Sequence, residues 1–138
     1  MPYPEMIVAP MRQDLVKIGF KELRTPAEVD AVLGQEKRTT LLAVNSVCGC
    51  AAGMMRPGVY LSLQGDTRPE VLTTVFAGQD VDATVRAREY ITGYPPSSPS
   101  VALFKEGELV YMMERHQIEG RAPEEIAQDL RAAYVEHC

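Results

Sequence analysis

Apolar residues along the chain follow two alternating patterns, one with helical spacing and one in short continuous runs. Across residues 7–19, Ile7, Met11, Leu15 and Ile18 recur near one helical face, and Gly19 stands where the helix would end. Residues 20–24 fit a short strand. Thr25-Pro26-Ala27-Glu28 has the form of a capping box with proline at the first helical position, which opens a helix to about residue 36. TTLLAVN (39–45) is apolar without interruption and of strand length, the pattern of a central strand covered on both faces. A helix is predicted from about 50 to 64 and a second β-rich run, VLTTVFA, at 71–77. Asp80 is placed to cap a helix that ends near 92–93. GYPPSSP (93–99) is a loop by composition. SVALFK and ELVYMM flank Glu106-Gly107 as a hairpin, and Pro123-Glu124-Glu125 opens a last helix to about residue 134. This order predicts one α/β domain over residues 1–138, with helices on a central mixed sheet and a C-terminal hairpin followed by a helix.

Composition agrees with a globular domain: 138 residues, 46% hydrophobic and 24% charged. The net charge of -5 argues against nucleic acid or an anionic membrane as the main partner. No apolar run reaches the length of a membrane span. The first residues, MPYPEMIVAPMRQDL, lack a basic region followed by an apolar stretch, so a cytoplasmic location is expected. Three cysteines do not make a disulfide framework, and the cytoplasm keeps most thiols reduced.

The chemistry concentrates at SVCGCAAG (46–53), where Cys48 and Cys50 flank Gly49 directly after the buried run. Such a pair is a reactive dithiol, half of a metal site, or two small buried residues. A strand-to-helix junction favours the first, because unpaired N–H groups of the opening helical turn stabilise a thiolate. A bond between cysteines two apart closes a tight ring, which suits transient exchange better than permanent cross-linking, and Gly49 would supply the backbone freedom. Beyond the pair only Cys138, His116 and His137 remain as soft ligands, with no second pair at metal-site spacing, so no metal is expected. Ser98-Pro99, just before the hairpin, is either a plain strand entry or a substrate-holding edge with a candidate cis bond.

Other residues support either reading. Asn45 and Ser46 can donate hydrogen bonds to the thiolate or satisfy the strand end. Arg56 adds positive potential or is a surface arginine. His116 can pass a proton to a leaving thiolate or is an exposed loop histidine. Tyr94 can pack against substrate or anchor its loop.

NSVCGCAAG, part of RPG at Pro57, TVFAGQD, REYITGYPPSSPS and RHQIEGRAPEEIAQDL ending in EHC resemble the bacilliredoxin family over nearly the whole chain. The resemblance implies a thioredoxin-like three-layer sandwich with an extra N-terminal helix at about 5–19. It implies a thiol-disulfide oxidoreductase that removes bacillithiol, a small cellular thiol, from protein mixed disulfides. Cys48 would be the nucleophile and Cys50 the resolving thiol, and Ser98 with Pro99 would hold substrate. Bacillithiol would be co-substrate with no bound cofactor, and the partners would be S-thiolated clients and a recycling reductase. Disulfide isomerisation is the alternative. A second alternative is a non-catalytic module that carries a metal or a thiol. The chain departs from ordinary thioredoxins in having no tryptophan and no Cys-x-x-Cys.

Overall fold

The computed structural model describes residues 2–138 and follows the predicted alternation. Its elements are α1 (Glu5–Val16), β1 (Lys21–Glu22), α2 (Pro26–Leu33), β2 (Thr40–Asn45), a π-helical turn (Ala51–Met55) running into α3 (Arg56–Ser62), β3 (Val71–Phe76), α4 (Val81–Tyr90), β4 (Ser100–Lys105), β5 (Glu108–Met113) and α5 (Pro123–His137). A short 3-10 turn, Arg115–Gln117, follows β5. The five strands form one sheet in the order β1-β3-β2-β4-β5. β1 and β2 run parallel to β3, while β4 is antiparallel to both β2 and β5.

β2 is buried at all six positions because it is the middle strand of a three-layer sandwich. Leu41 and Ala43 face a core shared with Leu15, Met55, Val59, Ile126 and Leu130, on the side of α1, α3 and α5. Leu42 and Val44 face the second core, with Val29, Leu33, Ala83 and Ala87 of α2 and α4. Each such leucine or valine taken out of water contributes about 1.5–3 kcal/mol.

Local signals set several element ends. The Thr25 side chain accepts from the Glu28 N–H (3.1 Å), and Glu28 accepts from the Thr25 N–H (3.2 Å), so the capping box forms as predicted. Asp80 does occupy the N-cap of α4, yet its side chain does not cap. Its carboxylate instead accepts two bonds from Arg12 of α1, at 2.7 and 3.0 Å. Arg12 is buried, bonds Glu5 (2.7 Å) and Glu22 (3.0 Å) as well, and stacks over Phe76. This cluster fastens α1 to β1 and to the start of α4. At Gly58, α3 crosses α5 so closely that an added Cβ would lie 2.7 Å from Ile126 Cγ2. The expected strand at 20–24 shrinks to two residues, and α5 runs three residues past its predicted end.

Candidate active site

The site grows out of the C-terminal end of β2. Asn45 donates through Nδ2 to the Met11 carbonyl (3.1 Å). Its Oδ1 accepts from the Ser46 N–H (3.0 Å) and from Arg56 Nη1 (2.8 Å). Arg56 also donates to the Ser46 carbonyl (3.1 Å) and to Asp14 of α1 (3.1 Å). Two expectations are corrected here. Arg56 is only 5% exposed, so it is not a surface arginine, although it also lines the cavity described below. Asn45 spends its donor on α1 and not on a thiolate. Both residues are braces that fix the turn carrying the cysteines.

The helix begins at Gly49, directly after Cys48, and the Ala51 and Ala52 N–H groups both donate to the Cys48 carbonyl (3.0 and 3.2 Å). A π turn at Ala51–Met55 stands just before Pro57. Pro57 has no N–H for the Gly53 carbonyl and its ring crowds that group, and a widened turn relieves both.

Cys48 and Cys50 are free thiols, both half-buried, in opposite electrostatic settings. Burial pushes the Cys48 thiol up. The Ala51 N–H, the Ser46 hydroxyl, the Cys50 N–H and the Cys50 thiol all stabilise its anion and together bring it below the ordinary value. Ser46 Oγ also accepts the Cys48 N–H at 3.3 Å, which holds the hydroxyl in place. Cys50 moves the other way. Burial raises it, as do its hydrogen bond to Cys48 and the Cys48 charge, and the opposing field of Arg115 does not offset them. Its side chain packs on the core that holds Met55 and Ile118. Gly49 does not have a left-handed backbone, and an added Cβ would meet nothing within 4 Å. The dithiol form thus places no special backbone demand on Gly49, and the freedom expected of it concerns closure of the disulfide. What Gly49 provides is an open approach.

The facing wall comes from the start of β4. Pro99 is buried and Ser98 half-buried, and the peptide bond between them is cis. The Ser98 carbonyl accepts from Arg115 Nη1 at 3.2 Å. Arg115 pairs with Glu119 and lies close enough for thiolates at Cys48 and Cys50 to act on it. Arg115, and not the neighbouring His116, is the side chain that the structure brings to the pair. His116 has a side chain 74% exposed, bonded to Glu114 (3.1 Å), and does not join the pair. The hairpin register carried the missed signal. Val101 pairs with Met113, so extending the ladder two residues sets Arg115 opposite Pro99.

A cavity of about 420 Å³ lies between Asp14, Lys17 and Ile18 on one side and Ala52, Arg56, Pro57 and Tyr60 on the other, and neither cysteine lines it. Ala52 is one helical turn from Cys48. Cys138 lies at the opposite end of β2, where its thiol is pushed up by burial and bonded to Thr39. Among the described residues no group of three or more His, Cys, Asp or Glu side chains is arranged to hold a metal. Among the described residues no helix is long and apolar enough to cross a membrane. Tyr94 is exposed on its loop, away from contact with the cysteines.

A central β-strand ending in a thiol pair at a helix start, facing a cis-proline edge, defines the thioredoxin-like class. Mitochondrial thioredoxin 3 of Saccharomyces cerevisiae, in its oxidised form, superimposes with a TM-score of 0.56. The match covers 86% of this chain and 96% of that one at 15% identity, which is a likeness of fold. At the level of sequence, the family model described as disulphide isomerase matches residues 3–138. A bacilliredoxin of Salinibacter ruber is 54% identical over 140 residues, spanning 100% of this chain and 82% of the relative. One of Halalkalibacterium halodurans is 52% identical over 136 residues, covering 99% and 94%. The chain belongs to the bacilliredoxin family, a family of thioredoxin-like thiol-disulfide oxidoreductases.

Proposed function

We propose that the protein removes bacillithiol from mixed disulfides with client proteins. The observation that carries this reading is the asymmetry of two adjacent half-buried thiols: Cys48, whose anion is held by the Ala51 N–H and the Ser46 hydroxyl, is acidified, and Cys50, packed on the core, is made less acidic. The Cys48 thiolate attacks the bacillithiol sulfur, forming a Cys48–bacillithiol disulfide and expelling the client thiolate, which takes up a proton. Cys50 then attacks Cys48, closing a Cys48–Cys50 disulfide and releasing reduced bacillithiol. Alternatively, a second bacillithiol attacks the adduct and leaves as the symmetric disulfide. Docking of an extended client chain is assigned to the Ser98–Pro99 edge, whose Ser98 carbonyl accepts from Arg115, the arginine on which both thiolates act. A reductase must then restore the dithiol, and the reducing cytoplasm is the compartment suited to that cycle.

Isomerisation of protein disulfides is the second reading, favoured by the description of the family model. A turnover assay separates the two. Bacillithiolated and glutathionylated forms of one client are presented to the wild type and to Cys48→Ala, alongside a scrambled disulfide protein. Release of client thiol from the bacillithiol adduct by the wild type alone supports the proposal. Unscrambling without dethiolation supports isomerisation, and full activity of Cys48→Ala refutes both.

A further inference from the structure

Among the described residues two buried side-chain polar atoms have no hydrogen-bond partner, and both line one small cavity: Arg88 Nε and Ser97 Oγ. The cavity, about 50 Å³, lies under the 94–97 loop, with Ile91 and Met112 contributing apolar wall. Buried polar groups are nearly always paired, so two unpaired donors converging on one cavity favour a polar ligand there.

Arg12, Arg56, Arg86, Arg115 and Arg121 each hold a carboxylate, whereas Arg88, half-buried in the last turn of α4, holds none and, unlike Arg68 and Arg131, leaves a buried N–H unpaired. Its nearest acceptor is the Ser97 carbonyl, 3.5 Å from Nη2, which already accepts from Ser100 Oγ at 3.0 Å. A guanidinium does not shed its proton in ordinary buffers, so it stays charged while its burial goes uncompensated. The space suits one or two waters, at roughly 30 Å³ each, or a single carboxylate. A carboxylate matches the planar guanidinium and can accept from the serine hydroxyl as well.

We infer that this cavity is a carboxylate-binding subsite, with Arg88 Nε donating to one oxygen and Ser97 Oγ to the other. Ser97 immediately precedes Ser98–Pro99, so the subsite adjoins the edge assigned above to substrate, and its role rests on that reading. The carboxylate comes either from an acidic residue of the client or from the small thiol.

The binding claim is tested without catalysis. Formate is titrated into ¹⁵N-labelled Cys48→Ala protein while the Arg88 Nε–H resonance, identified by its loss in Arg88→Met, is followed. A saturable shift is expected; a flat titration overturns the site and leaves water as its occupant. The source is tested by turnover of wild type and Arg88→Met on two pairs of mixed disulfides. In one pair the client peptide carries Glu or Gln beside its cysteine; in the other the small thiol is 3-mercaptopropionate or its amide. One pair should differ in KM by about tenfold in the wild type, the worth of one charge-assisted bond, and not in Arg88→Met. The responding pair names the source, and equal KM values in both pairs overturn the substrate role. Failure of the wild type to turn over any mixed disulfide would count against the proposed function instead, leaving the formate result standing.

Discussion

Ser46→Ala tests whether the site's chemistry resides where the geometry places it. The substitution removes the hydroxyl that stabilises the Cys48 anion and accepts the Cys48 N–H at 3.3 Å, and it leaves the backbone alone. A hydrogen bond to a charged group is worth about 1.5–3 kcal/mol when water is excluded. Cys48 is half-buried and solvent takes part of the vacated role, so ~1 kcal/mol is the expected loss, about a fivefold fall in the thiolate-to-thiol ratio. A more basic thiolate is also a better nucleophile, with a Brønsted slope of about 0.4–0.5, so the net slowing at neutral pH should be about two- to threefold. The assay is the rate of iodoacetamide modification of the Cys48 peptide across pH, read by mass spectrometry. Once both proteins are fully ionised the variant should be about twofold faster, so the two profiles cross. Profiles that coincide, or that stay separated by one constant factor, refute the assignment of the Ser46 hydroxyl to the thiolate.

The same shifts set the sign of stability against pH in the reduced protein. Native Cys48 loses its proton before the unfolded chain does, so stability rises with pH from its lowered value up to the ordinary one of about 9.0. Above that, Cys50 keeps its proton longer in the native state, and stability falls as pH rises further. Urea unfolding at intervals through this range should show a maximum, and a monotonic profile would contradict the opposed shifts. Arg56→Met should cost about 2–4 kcal/mol in the same assay, since it strips a buried charged brace from Asn45, Ser46 and Asp14. Gly58→Ala should cost about 1–3 kcal/mol, because the new methyl meets Ile126 across the α3–α5 crossing. Arg115→Gln should slow Cys48 modification at neutral pH, whereas His116→Ala should leave it unchanged. An equal effect of both would place the responsible charge elsewhere.

Periodicity and capping signals made most of the architecture legible. TTLLAVN had to be a central strand because every one of its positions needed cover, and the sheet supplies it. Elements at the margins read less well. Only two residues of the 20–24 segment pair with β3, because that strand lies at the sheet edge. The reactive centre was legible because its members are adjacent in sequence and follow that strand. Its supports were not, because they meet through long-range packing. Arg56 turned inward to braces contributed by α1 and β2, and Asp80 gave its carboxylate to Arg12 and not to the helix it begins. Arg115 enters through the hairpin, whose register shifts between Leu103 and Phe104, so counting back from the turn alone sets Glu114, and not Arg115, opposite Pro99.

The central claim is that Cys48, without help from Cys50, and not Cys138, makes the first bond to the small thiol. Cys50→Ala is mixed with one equivalent of a bacillithiolated client, quenched with acid, and mapped by peptide mass spectrometry. The account predicts a bacillithiol adduct on the Cys48 peptide, in step with release of one client thiol, and none on the peptide bearing Cys138. An unmodified Cys48 accompanied by client release, or an adduct found only at Cys138, would contradict it.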